Sequence, residues 1–135
     1  MKHAIFLLLW TLFVNFVNAQ IVEEPTFDKK SSYKALNIEY IDLTDKFTKF
    51  NITYTVQKYR NPNRVMSICI SKEIYLQDVE TGKTYKLKRV KGAKKCPKLT
   101  YVGKTWQTIN FDLIFEPIEH PENLFHLLEP STENQ

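Results

Sequence analysis

Residues 50–56 read Phe-Asn-Ile-Thr-Tyr-Thr-Val. Phe50, Ile52, Tyr54 and Val56 fall on one phase, with Asn51, Thr53 and Thr55 between them. Successive side chains of a strand point to opposite faces, so this unbroken alternation predicts a half-buried β-strand. Residues 109–115 repeat the pattern with Ile109, Phe111, Leu113 and Phe115. These two segments are expected to form the centre of the core, facing each other across two sheets.

Outward from them, strand signals recur. Leu36, Ile38 and Tyr40 alternate, and Ile41 and Leu43 continue on the other phase, which predicts a bulge or the strand's end. Thr44–Lys46 is a turn. Residues 60–64 (RNPNR) are another, because Pro62 excludes a helix there. Met66, Ile68 and Ile70 alternate and leave Cys69 on the opposite face. Ile74 and Leu76 open a further strand. Asp78–Lys83 reads as its hairpin loop, with Gly82 as the positive-φ residue. Tyr85 and Leu87 answer on the return strand. The stretch 92–105 reads as a long basic loop. Pro117 and Pro121 end the 109–115 strand, and Leu124–Leu128 supplies a last short one. About seven strands, with turn signals roughly every 8–12 residues, predict an all-β fold. The expected architecture is a two-sheet, Ig-like antiparallel β-sandwich over residues 33–129. A loose N-terminal arm (20–32), irregular throughout or ending in an edge strand, precedes it and a polar tail (130–135) follows.

The first nineteen residues differ in kind. Lys2 and His3 form a short basic region, Ala4–Val17 is almost wholly apolar, and Val17 and Ala19 put small residues at −3 and −1 of a peptidase site. This order predicts an export signal cleaved before Gln20. The apolar run is shorter than the roughly 20 residues of a membrane span. The mature chain is thus expected outside the cytoplasm, periplasmic or extracellular, with no membrane span. Its roughly 115 residues are enough for one core. The formal charge of +4 falls to about +3 without Lys2, a weakly basic balance that names no partner.

Cys69 and Cys96 are the two cysteines. In an oxidising compartment an even pair reads as one disulfide, closing a loop of about 28 residues worth roughly 3–4 kcal/mol. Two unpaired thiols are the alternative, since pairing needs Cα atoms within about 7 Å. Without a nearby His pair the thiols do not complete a zinc shell.

The segment Ile68–Glu129 carries a set of structural motifs in order. They are Tyr75-Leu76, a Thr81-Gly82-Lys83 hairpin, Tyr85-Lys86-Leu87, the loop led by Gly92, Phe111 through Pro117, and Leu127-Leu128-Glu129. In this it resembles an exported Ig-like β-sandwich domain common in Bacteroidetes proteins, as do Thr53-Tyr54 in the early strand and the Ala19-Gln20 junction. The resemblance implies a fold and defines no activity. In related proteins such domains often stand beside an enzymatic or thioredoxin-like one.

Charge is the most unusual local feature. Lys83, Lys86, Lys88, Arg89, Lys91, Lys94, Lys95, Lys98 and Lys104 follow one another with no acid among them. Such a run suits an anion such as a glycan or a lipopolysaccharide phosphate. It equally suits a solvated edge, because lysines blunt edge-to-edge pairing. Glu116, Glu119, Glu122, Glu129 and Glu133 are available to neutralise part of it. Lys91, Lys94, Lys95, Lys98, Tyr101, Lys104 and Trp106 make up the candidate binding surface. Trp106 stands on the phase opposite Ile109 and Phe111. It either forms an aromatic platform with Tyr101 or caps the end of the core, the blander role for a Trp.

Other chemistry is poorly represented. His120 and His126 lie six apart around Pro121, without the spacing of a helical zinc pair, and read as loop histidines. No nucleophile elbow, Cys–His signature, carboxylate pair or Gly-rich phosphate loop is present. Asn51-Ile52-Thr53 matches an N-glycosylation acceptor, which in a bacterial chain is a coincidence of a Thr-rich strand. No catalytic residue, metal or cofactor is expected, nor is nucleic acid a partner. The expected function is an exported, non-enzymatic module that binds a protein or an envelope glycan. A lipocalin-like carrier of a small apolar ligand and a secreted hydrolase are the alternatives.

Overall fold

The computed structural model describes residues 20–23, as backbone, and residues 35–130. The expected signal at 1–19 lies outside the described residues, as do most of the arm and the tail beyond Pro130. Among the described residues there are nine strands: β1 (Gln20–Glu23), β2 (Leu36–Leu43), β3 (Thr48–Thr55), β4 (Met66–Ile68), β5 (Tyr75–Asp78), β6 (Thr84–Lys91), β7 (Thr100–Gly103), β8 (Thr108–Phe115) and β9 (Phe125–Leu128). They form an all-β sandwich of antiparallel sheets. The larger runs β1-β2-β3-β8-β6-β5-β9 and the smaller is the pair β4-β7.

Two of these strands differ from the sequence reading. Gln20–Glu23, expected within the loose arm, pairs along β2 from Gln20↔Leu43 to Glu23↔Tyr40. Thr100–Gly103, expected within the basic loop, pairs with β4 through Ser67↔Tyr101 and Ile68↔Thr100. Both are four residues long, too short to display a period among charged neighbours.

The two strongest strands are neighbours in one sheet, and this corrects the expectation that they face each other across two. Phe50↔Leu113, Ile52↔Phe111 and Tyr54↔Ile109 are register partners. Residues directly opposite in an antiparallel pair share a face, so both apolar sets line one side together. The face extends sideways to Ile38 and Ile41, register partners of Ile52 and Phe50. A register shift between Ile38 and Tyr40 explains the phase change in this strand: the bulge returns Ile41 to the buried side.

β6 turns the sheet. Its first half pairs with β5, Leu76 opposite Tyr85. Its second half pairs with β8, with a bulge between Leu87 and Arg89. Leu76 and Tyr85 thereby join Phe50, Ile52, Phe111, Leu113 and Phe115 in one buried cluster, to which Ile70 also belongs. Phe50 and Phe115 meet edge to face with centroids 5.7 Å apart, a preferred aromatic arrangement. The fully buried Thr48 hydroxyl accepts the Ile118 N–H at 3.1 Å, so it is not left unsatisfied.

The reverse face of β3 and β8 is polar and interlocked. The Asn51 amide donates to Asn110 Oδ1 at 2.9 Å and to Asp112 Oδ1 at 2.7 Å. Asn110 returns a bond to Asn51 Oδ1 at 2.9 Å. Asn51 is 8 % exposed, so the acceptor asparagine of the Asn-Ile-Thr triplet is locked within the sheet. Beside it Lys49 pairs with Asp42 at 3.2 Å and lies over the Tyr40 ring.

Candidate binding surface

The lysine-rich stretch divides where β6 ends. In the first part, acids from the β8–β9 connection meet the lysines. Lys83 pairs with Glu119 and lies over the Tyr85 ring. Lys88 pairs with Glu116 at 3.2 Å. The Lys86 N–H donates to the same carboxylate at 2.9 Å. That N–H, then the Lys88 ammonium, hold the Glu116 carboxyl below its ordinary range against the opposing effect of burial. Lys83 holds Glu119 down, and Glu119 raises Lys83 in return.

The hairpin beneath these pairs is built on Asp78, which is fully buried. Its carboxylate accepts from the Glu80 N–H at 2.9 Å, the Thr81 N–H at 3.1 Å and the Asn123 amide at 2.9 Å. Burial pushes this carboxyl up, and the hydrogen bonds together outweigh burial and leave it low. Gly82 carries φ +73°, as expected for the turn residue.

Beyond β6 the lysines have no such acids. Lys91 stands opposite Asp112 in register, on the polar face, and so parts from the other candidates. Lys94, Lys98 and Lys104 are exposed and make no ion pair among the described residues. Lys95 is half-buried beside Ile70. The loop that carries them is firmly held. Cys69 and Cys96 lie at disulfide distance, Sγ to Sγ 2.04 Å and Cα to Cα 4.9 Å. Around them Ile70 N–H donates to Lys94 O, and Cys96 N–H to Ile70 O, both at 2.9 Å. The Lys94 N–H donates to Thr100 Oγ1 at 2.8 Å, which ties the loop to the start of β7.

β7 and the turn after it supply the apolar groups. Leu99, Tyr101 and Trp106 are 59 %, 65 % and 63 % exposed, while Val102 between them is buried. This alternation faces Tyr101 outward from the β4–β7 ribbon. It also corrects the core-capping role for Trp106, whose indole lies mostly in solvent. Its backbone is unusual too, with φ +68° in a residue that is not glycine. No sequence rule places a tryptophan in that conformation.

His120 and His126 are exposed, and His120 lies 3.3 Å from Glu122. No cluster of three metal-ligating side chains occurs among the described residues, and no helix among them is long and apolar enough to cross a membrane. An open depression of about 350 Å³ lies between Lys72, Ile74, Tyr75, Lys86 and Leu87, away from the exposed aromatics. Comparison with protein families, with curated proteins and with solved structures found no match to this chain.

Proposed function

We propose that the chain is an exported, non-enzymatic binding module that takes a protein or glycan component of the cell envelope on its β7 side. One observation carries the reading. Exposed Leu99, Tyr101 and Trp106, on β7 and the segments flanking it, stand among exposed lysines that lack acidic partners, and the loop before β7 is held by the Cys69–Cys96 pair. Large exposed aromatics beside unpaired cations are the composition of recognition surfaces rather than of inert ones. Rigid loops lose little freedom on binding. The cysteine pair fits an oxidising compartment, and the order of residues 1–19 fits export. The resemblance of residues 68–129 to an exported Ig-like domain agrees with a module of this kind. A core filled by Phe50 and Phe115 favours surface binding over carriage of an apolar ligand.

The test is retention of envelope components on the immobilised chain. Reversing Lys94 and Lys98 to Glu should release them, while reversing Lys86 and Lys88 should not. Equal retention by both variants would refute this site.

A further inference from the structure

The turn between β7 and β8 is held in a costly shape. A non-glycine residue in the left-handed region is disfavoured because its Cβ crowds the backbone, and such strain persists only where the surroundings over-determine it. Here they do. The Trp106 N–H donates to Val56 O at 2.8 Å, and Val56 N–H donates to Gln107 O at 2.9 Å. Gln107 N–H donates to Lys104 O at 3.0 Å, while Gln107 Oε1 accepts the Lys104 N–H at 2.5 Å. A Cβ at Gly103 would come within 1.9 Å of that same Oε1, and Gly103 itself has φ +136°. Gly103 is thus the residue that lets the Gln107 side chain fold under the turn. The result of this fixing is an indole held out in water.

Resting on the binding reading above, we propose that the β7–β8 turn presents Trp106 as a stacking plate for a sugar ring, and that the ligand is an acidic polysaccharide. The exposed apolar groups here, Leu99, Tyr101 and the Trp106 indole, are interspersed along the chain with Lys98 and Lys104. Tyr101 and Trp106 lie five residues apart, no more than about 18 Å by chain reach. Interleaved rings and cations suit a chain of pyranose rings bearing carboxylates or phosphates: each ring offers an apolar face to an aromatic plate and its charge to a lysine. A protein partner would call for a continuous apolar centre. Lys94, Lys98 and Lys104 supply the charge complement, because no carboxylate among the described residues engages them.

Trp10 lies in the expected signal, so Trp106 is the one tryptophan of the exported chain. The difference in emission between the chain and its Trp106→Asn variant isolates this indole whether or not the signal is present. The probes are polygalacturonate, neutral dextran and polyglutamate at low salt. Polygalacturonate should bind with a blue shift of the Trp106 emission, and dextran and polyglutamate at least tenfold more weakly. Trp106→Asn, which tolerates the left-handed backbone, should weaken polygalacturonate about tenfold, the value of one aromatic contact. It should leave the melting temperature within about 3 °C, since strain relief offsets the loss of partial burial. Equal binding of polygalacturonate and polyglutamate, unchanged by Trp106→Asn, would reduce the surface to bare charge and overturn the inference while leaving the binding reading intact. No polygalacturonate binding would also overturn it, and the envelope retention experiment then decides the broader reading by itself. A large fall in melting temperature with unchanged binding would make Trp106 structural and end the proposal.

Discussion

Lys83, Lys86 and Lys88 belong to the same run of positive charge as Lys94, Lys98 and Lys104, and the fold treats the two groups differently. The first group lies on β6 and the hairpin that leads into it, where Glu116 and Glu119 return from the β8–β9 connection to meet Lys88 and Lys83. The second lies on loops flanking β7, where the local anchors are the cysteine pair and backbone hydrogen bonds, and the ammonium groups are left to solvent. A cationic run is therefore no functional unit by itself. Its meaning depends on which acids the chain brings back across tens of residues.

The comparison can be broken at several points. The largest effect should come from the strand beneath both regions. Phe111→Ala should cost roughly 3–5 kcal/mol in denaturant unfolding. A loss below about 1 kcal/mol would show that the packing shared by the two regions had been misplaced. Next, Cys69→Ser should cost about 2–4 kcal/mol, and hydrogen exchange should speed up around Lys94–Thr100 before it does in β6. Uniform acceleration would mean that the clamp serves the whole sheet.

Acid separates the regions in another way. The carboxyls of Asp78, Glu116 and Glu119 all sit below their ordinary values in the fold. Their stabilising contribution is complete above the unfolded values near 4 and is lost as pH falls through the lower folded ones. Amides of the Asp78–Lys83 hairpin should lose protection below about pH 4, ahead of those in the clamped loop. The reverse order would sever the link between these carboxylates and the hairpin. The smallest effect concerns the free lysines. Lys94→Glu with Lys98→Glu should change stability by no more than about 0.5 kcal/mol, and any binding they support should weaken steeply with salt. Charge reversal that unfolds the loop would mean that these side chains have structural partners.

Much of the fold was legible because period-two alternation reports which side chains share a face. Phe50–Val56 and Ile109–Phe115 declared themselves, as did the Gly82 hairpin. Alternation does not report which strand lies beside which, and so Ile52 and Phe111 were expected across a gap and are found side by side. β1 and β7 are too short for a period to emerge. At the candidate surface, the residue types at Tyr101, Lys94 and Trp106 were visible, and so was the cysteine pair. Three things were not: the pairing of Lys83 with Glu119, the departure of Lys91 to the polar face, and the left-handed backbone of Trp106. Each depends on contacts between segments distant in sequence or on a strained turn that no local propensity describes.

The buried amide of Asn51 bears on how this protein can be made. A chain sent through a eukaryotic secretory pathway meets the glycosylation machinery while still unfolded, when Asn51-Ile52-Thr53 is fully accessible. A glycan attached then would occupy the place where Asn51 joins Asn110 and Asp112. It would wedge β3 away from β8, the pair at the centre of the sheet. The choice of host therefore decides whether the sandwich can close, and a prokaryotic periplasm, which offers disulfide formation without that modification, suits the requirements of this sheet.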